Sequence, residues 1–128
     1  MNVAGIGIDA VDVARFEKAA KKHGEHFLKK MFTDKELEYA KTKKDYYTHM
    51  AGKFAAKEAV KKAMPNGAEI GLNWPSIEIL NSPDGKPYVV LHSGAKLVAD
   101  KENIGLFFVS ISHIKSVATA NAMAVENG

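Results

Sequence analysis

Two carboxylates stand where a carboxylate needs a reason. Glu58 lies in FAAKEAVKKA, residues 54–63, a run without glycine or proline whose alanines read as the interior of a helix. It follows Phe54 by one turn, on the stripe that Tyr47, Met50, Ala51 and Phe54 turn toward a core. A charge there sits at the boundary of apolar packing and calls for compensation. Asp9 closes NVAGIGID, an alternating run with Ala4, Ile6 and Ile8 on one face and Val3, Gly5, Gly7 and Asp9 on the other. Glycines on that face would leave open space beside the carboxylate. Each residue also has an ordinary role open to it. Glu58 and Lys62 form an i,i+4 pair in the favourable order, worth about 0.2–0.5 kcal/mol on an exposed helix. Asp9 could help Asp12 cap the next helix. Two oxygen ligands among lysines, with no His or Cys cluster, suit Mg²⁺ carrying phosphate ligands rather than zinc.

Other polar residues are less specific. His113 closes SISH at the end of an apolar strand, where a histidine serves structure more often than catalysis. Ser110 and Ser112 could bind phosphate or satisfy the sheet, and DGKP, Asp84 to Pro87, could be a plain hairpin turn. GIGID lacks the glycine count and spacing of a phosphate-binding loop. Arg15, Lys18 and Lys22 recur at helical spacing and make one basic face.

The elements that must position these groups follow from pattern and punctuation. Residues 2–9 read as a first strand. Asp12 caps a helix from Val13 to His23 that Gly24 stops, and a short helical piece, EHFLKKM, comes next. FTDKELEYA carries a capping box, Thr33 with Glu36. A longer helix runs from Asp45 to Ala63, ended by Pro65 and Gly67, with a row of small residues at Ala51, Ala55, Ala59 and Ala63. SIEIL and PYVVL form a hairpin, Ser93 to Asp100 a helix, and LFFVSIS with VATANAMAV a final hairpin. Phe107, Val109 and Ile111 face one way and Leu106 and Phe108 the other, which predicts a strand covered on both faces. Ala118, Ala120, Ala122 and Ala124 make a flat face for a helix. The fold class is α+β, a single domain over 1–128 with a mostly antiparallel sheet and a helical block.

Length and composition agree. The chain has 128 residues, 46% of them hydrophobic and 26% charged, enough for one core. It has no cysteine, hence no disulfide framework. No signal peptide or membrane span is expected, which predicts a cytoplasmic protein. Net charge is only +3, but lysines crowd residues 15–62 and read mostly as solvated helix surface. A small nucleic-acid-binding domain would account for them. It would account for neither Asp9 nor Glu58, and no recognised nucleic-acid motif is present.

GIGIDAVDVARF, FTDKELEYA, FAAKEAVKKA, IEI followed by GKP, and SISH occur in that order along nearly the whole chain. In this the sequence resembles the small bacterial type of 4'-phosphopantetheinyl transferase, the holo-acyl-carrier-protein synthase family. Ser76 stands where that family often has Asp. The resemblance implies Mg²⁺-dependent transfer of 4'-phosphopantetheine from coenzyme A to a serine of apo acyl carrier protein, with release of adenosine 3',5'-bisphosphate. It implies metal ligation by Asp9 and Glu58, and Lys62 beside the coenzyme A phosphates. It implies a coenzyme A site that includes Gly85, Lys86, Pro87, Ser112 and His113. Arg15 falls on the helix that docks the carrier protein, with Lys18 and Lys22 on the same basic face. It further implies a homotrimer with active sites between subunits; no nucleic acid or membrane partner is expected. Glu58, directly or through a metal-bound water, is then the candidate base for the serine hydroxyl.

Overall fold

The computed structural model describes residues 2–65 and 73–128. β1 (Val3–Asp12) leads into α1 (Val13–Met31), followed by α2 (Asp34–Ala40) and α3 (Tyr46–Ala63). After a 3₁₀ turn at Trp74–Ser76 come β2 (Ile77–Asn81), β3 (Pro87–Leu91), α4 (Ser93–Lys101), β4 (Ile104–His113) and β5 (Val117–Glu126). The α+β architecture stands. An antiparallel sheet of order β1-β5-β4 lies beside the β2-β3 hairpin.

α3 is the axis of the molecule. Its small-residue row, Ala51, Ala55, Ala59 and Ala63, is at most 1% exposed and packs on β1 and β5. The β5 alanines at 118, 120, 122 and 124 supply the flat surface opposite, at most 4% exposed. The glycines of β1 have a different purpose from the one their spacing suggests. A methyl group at Gly5 would run into the Ala63 carbonyl, and one at Gly7 into the Ala59 carbonyl. They bring strand and helix backbones together rather than leaving space beside Asp9. Gly7→Ala should therefore destabilise the fold by about 1–3 kcal/mol or more, the usual cost of overpacking a close contact. Thermal unfolding of the variant checks this; an unchanged midpoint would refute the tight approach.

The expected helix boundaries have local causes. Gly24, at φ 72°, interrupts the helical geometry of α1 where the sequence predicts a stop, and the second helical segment follows as far as Met31. Asp12 Oδ1 accepts the Arg15 amide at 3.0 Å and caps α1. The Thr33–Glu36 capping box forms with both of its bonds. α3 stops at Ala63, before Pro65, and Gly67 lies outside the described residues.

Two of the helix lysines are not on the surface. Lys53 and Lys57 are 1% and 0% exposed, because β2 crosses the helix face they occupy. Nor is β4 covered on both faces within one chain. Phe107 is buried against the core, while Leu106 and Phe108 remain 46% and 57% exposed. Ile6, Met123 and Phe108 lie in register across β1, β5 and β4, with Ile8 in the next row, and form one bare apolar face.

Candidate active site

β1 carries Asp9 to the flank of α3, and α3 carries Glu58 to the same place because neighbouring Ala59 is pressed against Gly7. Both carboxylates line a cleft of about 380 Å³ whose wall includes Asp12, Arg15 and Phe54. Burial, and then the negative charge of Asp9, push the Glu58 carboxyl above its ordinary pKa. Like charges facing one another at a half-buried position constitute a cation-seeking pair.

Lys62 answers part of that demand, although not as the sequence spacing suggests. Its Nζ donates to Asp9 Oδ1 at 3.0 Å and to the Ile8 carbonyl at 3.1 Å, in place of the expected pair with Glu58. The cause is tertiary: β1 offers two acceptors side by side, one of them on a carboxylate only 18% exposed. Since Asp12 caps α1, Asp9 is free of that duty. The donor set fits a magnesium ion. It comprises two carboxylates on rigid elements and an open side for water and phosphate oxygens, which is how Mg²⁺ is usually held. Among the described residues no cluster of three or more His, Cys, Asp or Glu exists.

A second cavity of about 380 Å³ lies where the first half of α3 meets the GKP turn and the end of β4. Gly85, Pro87 and His113 line it, as do Lys43, His49, Lys53 and Asn81. Gly85 takes φ 90°, a conformation that favours glycine, and its carbonyl accepts from Asn81 Nδ2 at 3.0 Å. That bond turns Asn81 Oδ1 the other way, and neither it nor His49 Nε2 has a partner among the described residues. Burial, then the charges of Lys53 and Lys43, hold the His49 pKa down to about 4, so its ring is neutral. Burial lowers Lys53 to about 8. Lys43 and Lys53 outnumber the one carboxylate on the wall, Asp45, which suits an anionic group, while the unpaired acceptor Asn81 Oδ1 calls for a donor on the same ligand.

The expected coenzyme A set is thus only partly assembled by one chain. Lys86 is exposed on the turn and does not line this cavity. Ser112 points to the bare face of the sheet, in register with Thr119 and Ala10, because alternate residues of β4 face opposite sides. The two cavities share no lining residue. Lys43, His49 and Lys53 escaped the sequence reading. His49, Lys53 and Lys57 do repeat every fourth residue, and such a polar row beside an alanine row was the available signal. On α1, Arg15, Lys18 and Lys22 are exposed and have no ion pair among the described residues, whereas Lys21 is taken up by Glu17 at 3.0 Å.

Comparison with known proteins points the same way. The 4'-phosphopantetheinyl transferase superfamily model matches residues 5–117. A holo-[acyl-carrier-protein] synthase of Caldanaerobacter subterraneus is 41% identical over 120 residues, covering 94% of this chain and 93% of that protein. The crystal structure of the Helicobacter pylori holo-[acyl-carrier-protein] synthase in complex with coenzyme A is 36% identical, with a TM-score of 0.80. That match covers 94% of this chain and 99% of the other. A Plasmodium yoelii acyl carrier protein synthase with ADP bound is 37% identical, with a TM-score of 0.86 over 99% and 98% of the two chains. A family match over most of the chain, relatives of this identity and a shared fold together show that the chain is an enzyme and belongs to the 4'-phosphopantetheinyl transferase superfamily.

Proposed function

We propose that residues 1–128 act as one holo-acyl-carrier-protein synthase domain, which moves 4'-phosphopantetheine from coenzyme A to a serine of apo acyl carrier protein. The observation that carries this reading is the Asp9–Glu58 carboxylate pair, fixed on β1 and α3 at a cleft that Arg15 also lines. Asp9 and Glu58 would hold Mg²⁺, which when bound supplies positive charge to the pyrophosphate oxygens of coenzyme A. The serine Oγ forms a bond to the pantetheine phosphorus. The bond from that phosphorus to the bridging oxygen breaks, and its electron pair leaves with adenosine 3',5'-bisphosphate. The serine proton passes to Glu58, directly or through a bound water, because α3 fixes that carboxylate at the cleft. Lys62 turns from Asp9 to the phosphates and offsets charge on the leaving side.

The nucleotide end of coenzyme A occupies the cavity of Gly85, Pro87 and His113, with Lys43 and Lys53 as its cations and Lys86 at its rim. Because one chain keeps that cavity apart from the carboxylates, a complete site joins two copies. The bare face of Ile6, Ile8, Phe108 and Met123 is the surface on which they meet, in a homotrimer. Ser112, on the same face, then approaches the neighbouring copy. The proposed partners are coenzyme A and acyl carrier protein, and the proposed compartment is the cytoplasm. No helix among the described residues is long and apolar enough to cross a membrane.

Incubation with apo acyl carrier protein, coenzyme A and Mg²⁺ tests the activity. The carrier should gain the mass of phosphopantetheine, and an unchanged carrier mass would refute the assignment. The basic face of α1 makes a separate forecast. Arg15→Glu should raise KM for the acidic carrier about tenfold or more while changing KM for coenzyme A little, because rim charges act mainly on encounter. Steady-state kinetics with each substrate varied in turn checks it. Equal effects on both would show that α1 is not the docking face.

A further inference from the structure

α3 is gripped from two sides. On one side Gly5 and Gly7 bring β1 onto its backbone at Ala63 and Ala59. On the other, two successive turns of the helix are tied to β2 by buried ammonium groups. Lys53 Nζ donates to the Ile79 carbonyl at 2.6 Å. Lys57 Nζ donates to the Ile77 carbonyl at 2.6 Å, to Glu36 Oε1 at 2.9 Å and to the Trp74 carbonyl at 3.2 Å. Those are all three of its protons. Glu36 closes the arrangement. Its Oε1 also accepts the Thr33 amide at 2.8 Å, and its Oε2 accepts the Ile79 amide at 2.9 Å. Lys57 and Glu36 are both 0% exposed.

A fully buried ion pair is a weak device for stability, because desolvation consumes much of the attraction. It is a strong device for geometry, because leaving either charge unpaired is so costly. From this we infer that Lys57, held by Glu36 and the β2 carbonyls, is a positioning residue for Glu58. Successive helical residues stand about 100° apart, so fixing the azimuth of Lys57 fixes that of Glu58. At the ~5–6 Å radius of a helix side chain, a rotation of about 10° moves a carboxylate by roughly 1 Å. A misplacement of that size can cost about a hundredfold in rate. The same clamp holds β2, which ends at the Asn81–Gly85 wall of the second cavity, at a set distance from Glu58. The inference rests on Glu58 as a metal ligand.

The test uses the full chain with three changes: Glu36→Gln, Lys57→Met and the two together. Glu36→Gln keeps shape and one acceptor and is the variant most able to fold. The double variant removes the stranded charge that each single change leaves behind. Unfolding curves select a temperature at which each variant is folded. Mg²⁺ binding is then measured by calorimetry without coenzyme A, beside kcat and KM. The clamp predicts that folded Glu36→Gln and the folded double variant lose about ten- to a hundredfold in Mg²⁺ affinity and in kcat, with KM for the carrier unchanged. If they bind Mg²⁺ and turn over as the parent does, the pair is structural only and the inference is overturned. If Glu58→Gln itself leaves Mg²⁺ affinity and kcat intact, the reading of Glu58 falls and the clamp's purpose falls with it.

Discussion

Glu58→Gln and Asp9→Asn are each expected to lower phosphopantetheine transfer by about a hundredfold or more while leaving a folded, metal-free protein. The rate estimate reflects removal of one charged group from a site that works by electrostatic stabilisation, which typically costs 10²–10³. The stability forecasts differ. In Glu58, burial and the facing Asp9 both disfavour the charged form. Removing that charge relieves strain, so the metal-free variant should match or exceed the parent in thermal midpoint. Asp9→Asn gives up the half-exposed pair with Lys62, worth about 0–1 kcal/mol. A pH series adds a check. Because the folded-state pKa of Glu58 is raised, the folded protein binds more protons than the unfolded chain between the ordinary value and the raised one. Stability of the parent then falls as pH climbs through that window, and Glu58→Gln should lose that component. If the parent and both variants transfer at similar rates with Mg²⁺ limiting, the carboxylates are misassigned.

Phe108→Lys should break the proposed trimer into monomers and cost at least about tenfold in transfer, without unfolding the chain. Phe108 is 57% exposed in the single chain and pairs with Met123 across the strands. A lysine there meets water in the monomer and harms nothing. In an assembled trimer it would place an ammonium group in an apolar joint, where an unpaired charge is costly. Each Ile or Phe buried at such a joint contributes about 1.5–3 kcal/mol, and Ile6, Ile8, Phe108 and Met123 all lie on the face. Transfer should fall with assembly because the carboxylate cleft and the cavity at Gly85 share no wall within one chain. Sedimentation of parent and variant, with transfer rates at the same concentrations, decides the matter. A monomeric parent, or a monomeric variant of full activity, would show that one chain builds the whole site.

The elements themselves were legible in sequence because their signals are local. Capping at Asp12 and the Thr33–Glu36 box depend on side chains within a few residues of the backbone they serve. The alanine rows of α3 and β5 are periodic patterns with one packing solution, and they meet as that solution requires. Asp9 and Glu58 stood out for a related reason. Each is a charge set on an otherwise apolar pattern.

Which partner each charge takes could not be read along the chain. Local spacing offered Lys62 to Glu58, but β1, some fifty residues away in sequence, presents Asp9 and the Ile8 carbonyl together. Lys53 and Lys57 had the composition of a wet helix face until β2 covered them. Glycines that looked like empty space proved to be contact points. Ser112 and His113, adjacent in one motif, face opposite sides of β4. Sequence alone determined the elements and the family, and it singled out two carboxylates for test, because periodicity, capping and motif act over short spans. Only the tertiary structure decided how the charges pair, which lysines are buried and which residues share a cavity, because those depend on the close approach of segments distant in the chain.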